Sequence, residues 1–194
     1  MTSKERIIVI RTIKHGDSNL IVHGINSQGA RMNFFARGAA KSRKRFGGGV
    51  LEPTHFLEVT YKVNSTPDDD PLHSLLEASI IREFPKLREK YERLEVALYL
   101  LKLVSKVSQQ GVVDAAELFN LLGNALVAAE VSNKPSLLRL HFEIKILQTQ
   151  GVLDTNPEMS DWLKRPIADH ATMVMTSQVN RQVHEQIQSY IGIV

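Results

Sequence analysis

No cysteine occurs in this chain of 194 residues, and that absence excludes both a disulfide framework and any zinc site built on thiolates. The absence of cysteine is typical of a protein from a reducing cytoplasm.

Long apolar runs are also missing. The best candidate, residues 96–104, is broken by Lys102 and falls far short of the roughly 20 apolar residues that span a membrane. We therefore expect no membrane partner.

The N-terminal residues lack the features of a secretory signal. Their apolar stretch covers only residues 7–10 and ends at Arg11, whereas a signal needs a longer apolar region and a small-residue cleavage site. The expectation is a soluble, cytoplasmic protein.

A catalytic signature is missing as well. The seven histidines show no His-x-x-x-His spacing, and no Gly-x-Ser-x-Gly motif occurs. The glycine run at residues 47–49 lacks the Lys-Ser/Thr of a phosphate-binding loop. We predict that the protein is not an enzyme and needs no cofactor. A metal-dependent nuclease using Asp68, Asp69 and Asp70 is a further hypothesis, but adjacent carboxylates in one loop point apart and favour a solvated acidic loop.

Charge is distributed unevenly along the chain. Residues 1–62 contain 11 Lys and Arg against 4 Asp and Glu, whereas the remaining residues contain 13 against 17. The N-terminal third therefore has a net charge of +7 and the rest −4, although the whole chain is only +3. This asymmetry indicates that the N-terminal third faces a polyanion.

Strand patterns occupy the same basic third. Period-two alternation, β-branched residues and turn chemistry predict strands at residues 6–13, 20–25, 31–37 and 54–61. Residues 72–80 fit either a fifth strand or the start of a helix. So many short strands in about 80 residues are typical of a small closed barrel, with an OB-fold as the leading candidate.

A helical period replaces this alternation beyond Arg82. Apolar residues spaced by three and four predict a first helix through Leu87, Tyr91, Leu98 and Val104, and others at residues 114–126, 135–150 and 179–191. The predicted fold class is α+β, a β-barrel followed by an all-α bundle. The predicted domains are a basic OB-fold at residues 1–80, expected to face a polyanion, and a helical domain at residues 81–194.

The most concentrated charge lies between the third and fourth predicted strands. Five of the nine residues from 37 to 45 are basic and none is acidic, which is the clustering that phosphate neutralisation requires. Phe35 and Phe46 are near enough to stack on bases. The alternative is a mobile solvated loop with Phe46 in the core. The predicted phosphate contacts are Arg37, Lys41, Arg43, Lys44 and Arg45, with Arg31 and Lys14 as supporting charges.

These segments resemble the RecO family. The resemblance is carried by residues 35–46 (Phe-Ala-Arg-Gly-Ala-Ala-Lys-Ser-Arg-Lys-Arg-Phe), by Val-Leu-Glu-Pro at residues 50–53, and by the helical segment 140–151 (Leu-His-Phe-Glu-Ile-Lys-Ile-Leu-Gln-Thr-Gln-Gly). It covers roughly residues 6–157. Relatives often carry a four-cysteine zinc module, which this cysteine-free chain departs from, so zinc is not expected.

The resemblance implies a bacterial, nucleoid-associated mediator of DNA repair and recombination. Such a protein binds single- and double-stranded DNA, anneals complementary strands and partners RecR. It contacts the acidic C-terminal tail of single-strand-binding protein and so helps to load RecA. Basic side chains on the helix at residues 135–150 are candidates for that tail: Arg139, His141 and Lys145. An OB-fold protein that binds RNA or the ribosome shares the same features and remains the alternative.

Overall fold

The computed structural model describes residues 1–42, 44–64, 71–108 and 115–192. The chain divides into two compact units, Met1–Glu83 and Phe84–Val194. Among the described residues, the five strands lie in the first unit and the five α-helices in the second, so the predicted α+β class and the order of barrel and helices are confirmed.

The first unit is a closed barrel of five strands, which are β1 Thr2–His15, β2 Asn19–Asn26, β3 Arg31–Ala36, β4 Phe56–Lys62 and β5 Leu72–Arg82. Neighbouring strands pair in the order β1-β2-β3-β5-β4. Of these pairs, β3 and β5 run parallel and the other four are antiparallel. Residues 72–80, ambiguous by sequence, lie in β5.

The length of β1 allows the barrel to close. Residues 2–8 pair with β4 and residues 7–15 with β2, and a register shift between Val9 and Arg11 interrupts the pairing with β2. Such an irregularity increases local twist, which lets one strand serve both sides of the barrel. A Cβ on Gly24 would lie 2.9 Å from Ile7 Cδ1 and 3.2 Å from the Ile8 carbonyl oxygen, so glycine suits this close approach of β1 and β2.

Alternation along the strands separates the barrel core from its outer surface. On β3, Phe34 and Ala36 are fully buried, as the period of two predicts. Asn33, although polar, is only 5% exposed. Its Oδ1 lies 2.5 Å from His23 Nδ1 on β2, and this hydrogen bond compensates for the burial of the amide.

The second unit is built from α1 Tyr91–Ser108, α2 Ala115–Val131, α3 Pro135–Thr149, α4 Ser160–Lys164 and α5 Ser177–Ile191. The predicted start of the first helix is wrong, because Leu87 belongs to a separate 3-10 segment, Pro85–Glu89. The predicted face is also partly wrong, since Tyr91 is 73% and Leu98 45% exposed. Residue 114, where the second predicted helix begins, lies outside the described residues.

The last helix follows its sequence pattern closely. Thr176 accepts a hydrogen bond from the Val179 backbone N–H at the N-terminus, and the four apolar residues at spacing four are buried: Val179, Val183, Ile187 and Ile191. Across the described parts of the chain, no helix combines the length and apolar character needed to cross a bilayer.

Candidate nucleic-acid interface

The basic segment between β3 and β4 is tied to the barrel by its backbone. Gly38 donates its N–H to Asn19 Oδ1 at 2.9 Å and takes a left-handed conformation (φ 68°) that suits glycine. Ala40 donates to the Ser18 carbonyl, also at 2.9 Å. Residues 37–42 therefore follow the start of β2, and their charges are presented at a defined end of the barrel.

Four of the five predicted phosphate contacts are exposed, namely Arg37, Lys41, Lys44 and Arg45. Arg45 donates from its guanidinium to the Arg37 carbonyl at 3.2 Å and lies over the Phe46 ring, 5.3 Å from its centroid. The fifth, Arg43, lies outside the described residues. The four form a cationic surface, which we call the basic loop.

The two supporting charges lie at different places. Lys14 is exposed on β1 and pairs with Leu20 on β2. Leu20 lines a cleft together with Ala40 and Ser42, the two neighbours of Lys41, so Lys14 extends this end of the barrel. Arg31 is half-buried at the far end of β3, six residues before Arg37 and so about 20 Å away along the strand. The structure therefore brings Lys14, but not Arg31, near the basic loop.

The two phenylalanines also differ. Phe35 is half-buried on the outer face of β3, where its ring contacts His15 edge to face at 5.7 Å. Phe46 is 5% exposed and packs in the barrel core, so its prediction as a surface stacking residue is corrected. The physical reason is that burying such a side chain contributes about 2 kcal/mol, which draws it inward.

Acidic side chains lie next to part of the basic loop. Lys44 and Arg45 line a pocket of about 250 Å³ together with Glu58 on β4 and Glu77 on β5. In the same pocket, Lys4 Nζ lies 3.9 Å from Glu58 Oε1. These carboxylates weaken the positive potential that a phosphate would meet here. Sequence reasoning missed them. The outward position of Glu58 follows the alternation along β4, whereas Glu77 is exposed after a register shift in the pairing of β4 with β5, between Thr60 and Tyr61.

In the helical unit, Arg139 belongs to a small polar cluster. Its guanidinium donates to Glu143 Oε1 at 2.9 Å and stacks on Tyr99, 3.9 Å from the ring centroid. Tyr99 donates its hydroxyl to the same carboxylate, and burial together with that charge raises the pKa of Tyr99. Arg139 lines a pocket of about 400 Å³ between α1 and α3, which is accessible to a partner.

His141 and Lys145 are less accessible than the sequence suggested. His141 is fully buried, with Nε2 2.8 Å from the Trp162 carbonyl, so it cannot contact a tail in this structure. Its place in the tail-binding prediction is corrected, because α4 and its flanks cover this face of α3. Lys145 is half-buried and donates to the Leu163 carbonyl.

The burial of His141 predicts acid sensitivity of the helical unit. Burial lowers its pKa to about 4, against about 6.5 in an unfolded chain. Burial lowers the pKa of His170 in the same direction. Below pH 6.5 the unfolded state therefore binds protons that the folded state does not. The contribution that neutral His141 makes to the free energy of unfolding is therefore fully present above pH 6.5. It falls by about 3 kcal/mol as the pH approaches 4.

Denaturant unfolding of the helical unit at a series of pH values checks this expectation. The His141→Gln variant keeps a hydrogen-bond donor for the Trp162 carbonyl but cannot titrate, so its stability should fall less steeply over the same range. An equal pH dependence in both proteins would contradict the assignment.

The acidic run of residues 68–70, a candidate metal site by sequence, lies outside the described residues. Within the portions that the structure describes, no three His, Asp or Glu side chains group in a way that could hold a metal ion.

Comparison with known proteins relates this chain to a protein family. Residues 1–84 match a family model described as "Recombination protein O N terminal". A DNA repair protein RecO from Syntrophus aciditrophicus is 35% identical over 150 residues, covering 77% of this chain and 56% of the relative. Those from an Exiguobacterium species and from Anaeromyxobacter dehalogenans are 30% and 32% identical and are covered to 58% and 56% of their length. The chain thus spans little more than half the length of these relatives.

Proposed function

Since the chain belongs to the RecO family of DNA repair proteins, we propose that it binds single- and double-stranded DNA and anneals complementary strands without catalysing a covalent reaction. The observation that supports this most directly is the basic loop, whose exposed cations are held at one end of a closed barrel. Small barrels of this kind commonly bind nucleic acid.

The proposed mechanism is charge neutralisation. Lysine and arginine side chains that contact phosphates release condensed counterions, and this term dominates affinity regardless of sequence. Two strands held on one cationic surface repel each other less, so complementary bases can meet. Phosphate contacts position a strand but do not read its bases, so the activity should show no marked preference for sequence.

The proposed partners follow from the family. The chain would act with RecR, contact the acidic tail of single-strand-binding protein and so assist RecA loading. In this chain the accessible candidate for the tail is Arg139, whose guanidinium lines the pocket between α1 and α3. Glu92 and Glu95 line the same pocket and would oppose an acidic peptide. Arg139→Ala tests tail docking directly, because loss of this guanidinium should weaken binding of the acidic tail.

The experiment that tests the proposal measures annealing of two complementary oligonucleotides, first naked and then coated with single-strand-binding protein. Acceleration in both cases supports annealing together with partner contact. Acceleration of naked strands alone supports DNA binding and argues against tail docking. If neither is accelerated, the mediator proposal fails, and a competition titration with RNA and DNA of the same sequence would then test the RNA-binding alternative.

Removing the acidic neighbours of the basic loop is expected to strengthen DNA binding. Replacing Glu58 and Glu77 by glutamine should strengthen DNA binding by about twofold to tenfold at low salt, because two carboxylates no longer compete with phosphate for Lys44 and Arg45. The gain should shrink as salt increases. Fluorescence anisotropy with a labelled single strand measures both effects.

A matched control changes the same net charge elsewhere. Glu89 and Glu185 are exposed in the helical unit, and their replacement by glutamine should leave affinity nearly unchanged. Equal strengthening in both double variants would show that only net charge matters and would contradict a local role for Glu58 and Glu77.

A further inference from the structure

Beneath the basic loop lies a cleft of about 310 Å³, and we propose that it receives a single unstacked nucleobase from a bound DNA strand. The proposal rests on the proposed function, since the basic loop would hold the phosphates on either side of that base. It adds a contact that only a strand with an unpaired base can make.

Glycines form one wall of this cleft. Gly47, Gly48 and Gly49 all line it, and a Cβ built on Gly48 would meet nothing within 4 Å. A Cβ on Gly47 would approach only the Ser42 carbonyl, at 3.8 Å. Because no side chain projects from Gly47 or Gly48, a flat ring can approach the backbone closely there. The volume is at the lower end of the range for small-molecule pockets, which suits a single base rather than a larger ligand.

The remaining walls combine an apolar surface with a polar rim. Phe46, withdrawn from the outer surface, contributes to the lining, as do Leu20 and Leu51 from the barrel core and its margin. Ser42 and Glu52 supply polar atoms, and the Ser42 hydroxyl already accepts a hydrogen bond from the Arg45 N–H at 3.2 Å. A base has an apolar face and polar edges, and this lining matches both.

The cleft lies close to the cations that would hold the adjacent phosphates. Arg45 stacks on Phe46, which lines the cleft, and Lys41 directly follows Ala40, another lining residue. A strand whose phosphates contact Lys41 and Arg45 therefore passes over the cleft. Bases in a duplex are paired and stacked, so they cannot enter without an unstacking cost. The cleft should favour single strands over duplexes beyond what charge alone provides.

Filling the cleft tests the proposal without changing charge. Gly47 has no positive φ, so Gly47→Leu places a side chain toward Ser42 across the cleft without backbone strain. Ala40→Leu is the second variant, because Ala40 is exposed and also lines the cleft. Thermal unfolding identifies a variant that fails to fold, in which case the other one decides.

The probes are a short single strand, a strand of the same length with tetrahydrofuran abasic sites at every position, and a duplex of equal length. The two single strands carry the same phosphates, so counterion release is equal for both. The wild-type protein should bind the strand with all its bases about tenfold more tightly than the abasic strand. Both leucine variants should lose this preference and keep their affinity for the duplex.

Two results would overturn the proposal. In the first, the wild-type protein binds both single strands with equal affinity. In the second, the leucine variants fold and keep the full preference for the strand with bases. Either result leaves binding through the basic loop intact. Failure of the proposed function is different and recognisable, because the wild-type protein would then bind none of the three probes.

Discussion

Replacing Lys41, Arg43, Lys44 and Arg45 together by alanine is expected to weaken DNA binding about a hundredfold at low salt, while the barrel stays folded. Three of the four are exposed, and Arg43 is included because the sequence places it among them. None of the three exposed side chains contributes to the barrel core, so stability should change little.

Salt dependence identifies the cause of this loss. If the four side chains contact four phosphates, log affinity for a single strand should fall against log salt with a slope of about −3. The wild-type protein would then lose about fiftyfold in affinity between about 50 and 200 mM salt. The quadruple variant should give a much flatter line. Anisotropy titrations at several salt concentrations measure both slopes.

A charge-matched variant separates location from net charge. Four exposed basic residues in the helical unit can be replaced by alanine in the same way: Lys102, Lys106, Lys164 and Arg181. This control should keep most of the wild-type affinity and slope. If it lost as much affinity as the first variant, the basic loop would not be the interface.

The second large effect concerns the barrel itself. Phe34 is fully buried and its ring contacts Tyr61 edge to face at 5.3 Å, so Phe34→Ala removes a ring that the core cannot easily replace. The free energy of unfolding should fall by about 3–5 kcal/mol. Small domains are stable by only about 5–15 kcal/mol, so this is a large share of the total. Denaturant unfolding monitored on the barrel strands measures the loss.

The neighbouring residue provides the control. Phe35 lies on the outer face of β3 and is half-buried, so Phe35→Ala should cost about 1 kcal/mol or less. Comparable losses at Phe34 and Phe35 would contradict the inward and outward assignment of β3. If Phe35 also stacks on a base, its variant should bind a single strand several-fold more weakly with little change in stability.

Local patterns were sufficient for much of the fold. The period of two on β3 correctly separated Phe34 from Phe35, and the spacing of four correctly identified the buried face of α5. The same reasoning failed at α1, where Leu87 belongs to the preceding 3-10 segment and Leu98 faces solvent. Seven residues between Val96 and Val107 of α1 are buried, which is more than one narrow stripe. The buried face of α1 therefore depends on the elements that pack against it and not on its own sequence pattern.

For the site, the sequence identified the cations but not their surroundings. A run of basic residues is visible in one dimension, and charges of this kind remain at the surface because burying them is costly. Neither Glu58 nor Glu77 is near Lys44 in sequence, and only closure of the barrel places them around one pocket. The burial of His141 likewise depends on α4 and its flanks, which follow it by about twenty residues.

The sequence by itself determined the order of barrel and helices, the concentration of positive charge in the first third and the position of the basic loop between β3 and β4. These are properties of local periodicity and composition, which act over a few residues. The tertiary structure alone decided that Phe46 points inward, that carboxylates oppose Lys44 and Arg45, and that glycines border a cleft beneath the basic loop. Each of these results from strand pairing between distant segments, and no local pattern encodes which distant side chains that pairing brings together.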